Sequence, residues 1–525
     1  MMSKKLLSLL AVMLCATRLI AAEYHVAKNG SNANPGTKST PFLTINHAAA
    51  LARPGDVVTV HAGTYREWVA PAFSGTDADH RITFRAAPGE LVEIKGSEVV
   101  RDWASLGNGV WEKRLPDRFF GEYNPYNDII FGDWFFPKEM QLHTGEVYLN
   151  GKALEERLNV RDENSWSCRY SGDSTVIQAN FGNTNPNNAL VEINVRPACF
   201  YPQKTGVNYI TVRGFHLSQA ATQWAPPTAE QVGLIGTNWS KGWVIEDNVI
   251  SDSKCVGITL GKDRASGQNV WSADMSKDGS VVYNEMIIRV IAGGWNKGNI
   301  GSHLVRNNKI YNCGAAGICG SFGAAYSRIL NNVIHDIYKR RNFYGAEMAG
   351  MKFHGAIDIE ISGNRVHGAF VGLWLDWMAQ GTLVKKNVFY DNDYVDFFPE
   401  VNHGRYTVIG NQFLSGFSLR DWSENGIYRK NTFAGMLSRA PQERVTPVFK
   451  DHTTELLAVK PILGGANQFY KNNFKEGDGK AMQPKMHQMD TMDALRGYGL
   501  AIYQESAIPI IAKGNKYLKG GLKND

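Results

Sequence analysis

Apolar and polar residues alternate along this chain in short runs, and one form of the run keeps returning. "VIEDNVI" (244–250), "VRNNKI" (305–310), "ILNNVI" (329–334), "IEISGNRV" (359–366), "LVKKNVF" (383–389), "TVIGNQF" (407–413) and "YRKNTF" (428–433) share it. Each is a brief run of period two, then an asparagine, one further residue and an apolar one. A period of two is that of a strand with one buried face. The asparagines stand at 248, 308, 332, 364, 387, 411 and 431, in steps of 60, 24, 32, 23, 24 and 20 residues. A repeat of that size, lengthened in places by insertions, predicts an all-β fold, a right-handed parallel β-helix whose turns cannot bury an inner face alone. Asparagine suits a solenoid corner, because it tolerates left-handed backbone and can hydrogen-bond its counterpart one rung away. The long steps predict insertions at 262–302, with a helix in "VVYNEMIIRVIAG" (281–293), and at 335–353. Both should gather beside a binding cleft.

Elsewhere the pattern changes. Residues 24–67 read as a strand, a Gly/Asn/Pro loop, a short amphipathic helix near 43–52, the turn "RPGD" and the strand "VVTVHAGTY". Together they would cover the open first rung. The corner asparagines vanish over 97–202, where "GEVYLNGKAL", "STVIQANF" and "ALVEINVRP" alternate as strands, predicting an inserted β-sandwich. The expected domains are therefore a signal over 1–22, a solenoid made of 23–96 and 203–525, and the sandwich between them. The stretch 436–525 is less regular and is expected to cap the far end.

Composition adds the compartment. Lys4 and Lys5 precede a short apolar run (6–16), and "IAA" (20–22) offers small residues for cleavage, so the protein is expected to be exported, periplasmic or secreted. Leu14 before Cys15 argues against lipidation. No later run is long enough for a membrane anchor. The formal charge of +6 falls to about +3 once Lys4, Lys5 and Arg18 leave, too balanced to predict a nucleic-acid partner. Cys168, Cys199, Cys255, Cys313 and Cys319 lack the spacing of a zinc site or a disulfide framework and read as buried thiols.

The chemistry lies in two carboxylates one rung apart. Asp376, in "LWLDWMAQG" (373–381), sits between Trp374 and Trp377, where a charge is costly without a purpose. Glu400, in "FFPEVNHG" (397–404), follows 24 residues later, Pro399 taking up one extra residue as a bulge. Rungs stack about 4.8 Å apart, so the two carboxyl groups fall near the ~5–5.5 Å of retaining glycosidases, short of the ~6.5–9.5 Å of inverting ones. Lys352 and His354, in "MKFHG", fall on the same face one rung earlier, and Asn402 two residues beyond Glu400. Glu347, Lys352, His354 and Asn402 are candidates for holding sugar hydroxyls, with Trp374 as a stacking face. Phe397, Phe398 and Pro399 predict an apolar setting for the acid. Asp391, Asp393 and Asp396 read as solvated turn residues.

"LWLDWMAQG" and "EVNHG", with the opening "PGD…VHAGTYRE", resemble glycoside hydrolase family 120, retaining β-xylosidases whose parallel β-helix is interrupted by a β-sandwich. The resemblance runs along nearly the whole mature chain. It implies Asp376 as nucleophile, Glu400 as general acid/base, and exo-acting release of xylose from β-1,4-xylo-oligosaccharides without a metal or cofactor. The extra residue at Pro399 departs from the family's spacing. Two other readings use the same residues: a polysaccharide lyase with Lys352 or His354 as base, and a non-catalytic carbohydrate-binding solenoid. Self-association is left open.

Overall fold

The computed structural model describes residues 21–440, 442–476, 480–482 and 495–519. The export segment lies outside them. Among the described residues three long sheets run the length of a right-handed parallel β-helix, with 13, 12 and 10 strands. The first two are parallel throughout, and each rung pairs with the next in constant register, as Arg328, Glu360 and Leu383 do. Inside, Phe389, Phe413, Phe433 and Phe474 stack face to face at 5.3, 5.1 and 5.1 Å. Such stacking buries a large ring on each of these four rungs.

The corner asparagines form a ladder. In each, the backbone N–H and one side-chain N–H donate to Oδ1 of the asparagine one rung on, as in Asn364 to Asn387 (both 2.9 Å). The second side-chain N–H donates to a strand carbonyl, Ile329 in that case, at 2.9 Å. The left-handed conformation falls one residue earlier than the sequence suggests, on Asn307, Asn331, Gly363, Lys386 and Lys430. The ladder asparagine supplies the hydrogen bonds and its predecessor makes the turn.

The far end corrects the sequence reading. Asn472 and Asn515 continue the ladder, and strands Gln468–Tyr470, Asn473–Lys475, Ile511–Lys513 and Lys516–Leu518 add rungs to both parallel sheets. What breaks the pattern after 436 is a lateral insertion. The hairpin Val445–Phe449 and Leu456–Pro461 leaves the solenoid beside the third sheet.

The N-terminal helix covers Ile45–Leu51, capped by Thr44, and buries Ile45, Ala48 and Ala49. Between Val92–Lys95 and His216–Ser218, which are neighbours in one sheet, the chain makes a four-stranded and a five-stranded sheet. Their shared core holds Trp103, Leu115, Val147, Trp166, Ile177 and Ile193. This inserted sandwich is tied down where buried Glu146 meets Lys254 (3.4 Å) and Arg340. The two cations outweigh its burial and hold its carboxyl down at about 2. The sandwich also sends out the strand Phe135–Pro137, which pairs with Phe343–Gly345 of the second insertion. The five cysteines are unbridged, four of them buried. Among the described residues no helix is long and apolar enough to cross a membrane.

Candidate active site

Three neighbouring strands of the third sheet build the site: Ala349–His354, Val371–Asp376 and Val395–Glu400. Their register sets Lys352 beside Trp374 and Phe398, and His354 beside Asp376 and Glu400. The intervening residues, Phe353 and Leu375 among them, enter the core. No bulge forms at Pro399, since the offset of 24 holds from Val371–Val395 to Asp376–Glu400. The preceding strand of the same rung keeps an offset of 23, as in His367–Tyr390, so the extra residue is absorbed in the turn at 391–394. Each acid ends its strand and is followed by left-handed backbone, Trp377 and Met378 after Asp376 and Val401 after Glu400. Such residues cost of order 1–3 kcal/mol each and persist where the fold over-determines them.

The insertions close over these strands to leave a cavity of about 660 Å³, lined by Trp134, Tyr283, Glu347, Trp377, Trp422 and Arg444 together with the strand residues. Tyr283 comes from the helix Gly279–Ala292, Trp134 from the inserted region, and Arg444 from the segment before the hairpin. Arg420 and Trp422, one rung beyond Glu400, close the floor, with the guanidinium 3.9 Å from the indole ring.

Asp376 Oδ2 lies 2.9 Å from Lys352 Nζ and 3.3 Å from His354 Nε2, the latter poorly aimed for a hydrogen bond. Lys352 also reaches Glu347 Oε1 at 3.1 Å. Burial alone would discharge this lysine, but Glu347, Asp376 and Glu400 outweigh it and keep it charged. Burial, with Asp376 adding to it, pushes Glu347 up to about 8, so it carries a proton at neutral pH. Burial and the lysine hold His354 well below the usual range, hence neutral, with Nδ1 3.0 Å from the Tyr283 hydroxyl. Asp376 Oδ1 and Glu347 Oε2 are buried without a hydrogen-bond partner. Orphaned polar atoms in a folded interior are costly and point to a ligand that satisfies them.

The sequence candidates separate here. Glu347, Lys352, His354, Trp374, Asp376 and Glu400 all line the cavity. Asn402 does not: its side chain donates to Leu375 O (2.8 Å) and accepts from Ala379 N (2.6 Å), framing the turn after Asp376. Trp374 has Lys352 Nζ 3.6 Å from its ring centroid and Phe398 tilted against it, and its indole N–H donates to Glu400 Oε2 at 2.9 Å. It orients the acid, and Trp377, Trp422 and Trp134 supply the aromatic wall. The apolar setting expected around Glu400 is absent, because Arg444 Nη2 is 2.6 Å from its Oε1. Asp396 is no solvated turn residue. It is fully buried, accepts from Asn392 Nδ2 and Ser415 N at 2.8 Å each, and is pushed up by burial to about 7. Arg420 and Trp422 were within reach of the repeat, one rung after Phe398 and Glu400. Tyr283, Trp134 and Arg444 come from insertions and carry no periodic signal. Among the described residues no group of three or more His, Cys, Asp or Glu side chains is gathered to hold a metal ion.

A glycoside hydrolase 120 insertion-domain model matches residues 100–164. The solved complex of XylC with xylose is 40% identical, covering 96% of this chain and 85% of that one at a TM-score of 0.87. The chain belongs to glycoside hydrolase family 120. It is a glycosidase, which removes the lyase and the non-catalytic solenoid. Within this family-120 chain a right-handed β-helix model matches 274–436, and a model of unknown function matches 28–74. A solved glycoside hydrolase at 12% identity, TM-score 0.53, covering 86% of this chain and 96% of its own, shares the fold. The uncharacterized protein YwoF of Bacillus subtilis strain 168 is 44% identical over 75 residues, 14% of this chain and only 16% of that protein.

Proposed function

We propose that this chain is an exported, exo-acting β-xylosidase that releases xylose from β-1,4-xylo-oligosaccharides with retention. The observation that carries the mechanism is the in-register pair Asp376 and Glu400 on adjacent strands under one cavity. Strands about 4.8 Å apart suit a nucleophile and an acid/base on either side of one anomeric carbon. Lys352 and His354 flank Oδ2 of Asp376, which leaves the unpartnered Oδ1 to attack. A bond forms from Oδ1 to the anomeric carbon while the glycosidic bond breaks. Its electron pair stays on the leaving oxygen, which takes the proton of Glu400. Water then attacks the anomeric carbon, gives a proton to Glu400 and frees Asp376. Protonated Glu347 is placed to donate a hydrogen bond to a sugar hydroxyl. Xylose as the sugar is supported by the xylose-bound relative.

The test is p-nitrophenyl β-D-xyloside and xylobiose with the purified protein, the anomer followed by proton NMR. β-Xylose first, and negligible turnover by Asp376→Ala and Glu400→Ala, is the expected result. α-Xylose first, or release only of a different sugar, overturns the reading.

A further inference from the structure

In the free enzyme both oxygens of Glu400 already hold donors, Arg444 on Oε1 at 2.6 Å and Trp374 on Oε2 at 2.9 Å. While Oε1 accepts from Arg444 and Oε2 from Trp374, neither oxygen is free to carry a proton and donate it. That arrangement fits the second half-reaction, in which Glu400 accepts a proton, and must open for the first, in which it donates one. The two donors differ in freedom. Trp374 is a strand residue with 1% exposure. The Arg444 side chain is 29% exposed, while Lys352, Asp376 and Glu400 are 1%, 8% and 9% exposed. Arg444 stands on no rung, only between the strand Met436–Arg439 and the hairpin. Its guanidinium has a second anchor in Gln442 Oε1, at 2.8 and 3.2 Å. Because Glu400 protonates the leaving oxygen, the departing sugar must reach the space beside Oε1 that the guanidinium now occupies.

Building on the acid/base role proposed for Glu400, we propose that Arg444 is a displaceable counter-ion. It leaves Glu400 when the departing sugar binds, so that Glu400 can hold the proton it donates. It returns to the carboxylate once that sugar has gone, keeping Glu400 a base for the attack of water. Arg444 is thus a positioning residue whose effect differs between the two steps.

Arg444→Met and Arg444→Lys separate the steps when assayed on xylobiose and on 2,4-dinitrophenyl β-D-xyloside, whose leaving group needs no proton. For Arg444→Met, kcat on the dinitrophenyl substrate is expected to fall about tenfold or more, part of the roughly 10²–10⁴-fold that a general base contributes. A pre-steady-state burst and a lowered KM should accompany it, as the xylosyl-enzyme accumulates. kcat/KM on xylobiose, which reports the first step, should change by less than about threefold, and Arg444→Lys should recover most of the kcat. An equal loss in kcat/KM on both substrates with no burst overturns the proposal, as does a rise in KM confined to xylobiose. Should Arg444→Met fail to fold, the crystal structure of Asp376→Asn with bound xylobiose decides. Arg444 withdrawn from Glu400 supports the proposal, and an intact 2.6 Å pair overturns it. Wild-type protein that releases no β-xylose defeats the proposed function, whereas an active wild type with a uniformly impaired Arg444→Met defeats only the counter-ion.

Discussion

Two columns of polar side chains climb this solenoid in the same steps, and they are treated in opposite ways. In the asparagine ladder every amide is spent within the protein, both side-chain N–H groups donated and Oδ1 accepting from the rung before. In the column His354, Asp376, Glu400 and its neighbour Glu347, polar atoms are left over, and two carboxylates and a protonated carboxyl group surround one lysine. A satisfied buried network specifies a structure, and an unsatisfied one is an incomplete binding site. The contrast shows how a repeating scaffold can hold a costly site: the deficit at one face is offset by full pairing at another face of the same rungs.

The largest break in that contrast is Asp376→Ala. Loss of the proposed nucleophile should lower kcat by at least about 10³-fold, with the melting temperature little changed because Glu347, freed of the Asp376 charge, can ionise and hold Lys352 in its place, measured by xyloside turnover beside calorimetry. Lys352→Met attacks both roles at once. An uncompensated buried carboxylate, Asp376, should cost about 3–5 kcal/mol of stability in denaturant titration, and activity should fall with Asp376 no longer anchored. Asn387→Ala is the mirror case. It orphans the two Asn364 donors and takes the side-chain donors from Ile361 O and Asn411 Oδ1, the latter keeping the backbone N–H of residue 387, and should destabilise by roughly 2–4 kcal/mol while kcat below the melting range stays within about twofold. The smallest effect is in Glu347. Its raised value of about 8 means a neutral acid below that pH and a further negative charge in the cavity above it. Wild-type kcat/KM should therefore decline above about pH 8, and Glu347→Gln should flatten that limb. A limb unchanged in the variant would show that another group titrates there.

Much of this was legible from strand-level rules. The period gave the solenoid, the break at 97–202 gave the inserted sandwich, and the 24-residue step placed Asp376 beside Glu400. Rules of period two and one rung fix which face and which level a residue occupies. They do not tell what already occupies that face, which is why Asn402 reads as a sugar contact and proves to be a corner bracket, and why Trp374 reads as a platform and proves to hold the acid. The cavity roof was legible only as a gap in the pattern. Tyr283, Trp134 and Arg444 arrive on loops whose paths depend on packing rather than period. Asn472 and Asn515 show the opposite error, a regular element hidden because a hairpin and a loop stretched its step.

The sandwich enters between two strands that lie side by side, Val92–Lys95 and His216–Ser218. On a ribosome delivering about 5–20 residues per second, the growing end of the sheet waits roughly 6–24 seconds for its next strand. Throughout that interval a raw edge of Glu93 and Ile94 stands open, and edges of this kind recruit strands from other chains. A sandwich that folds on emergence, before the edge can be filled, would bring the returning chain back to the right place. We therefore expect released fragments ending at about residue 205 to resist proteolysis over 97–202 while 23–96 is still cut. The opposite order of protection would show that the cap forms first and the sandwich is fitted to it afterwards.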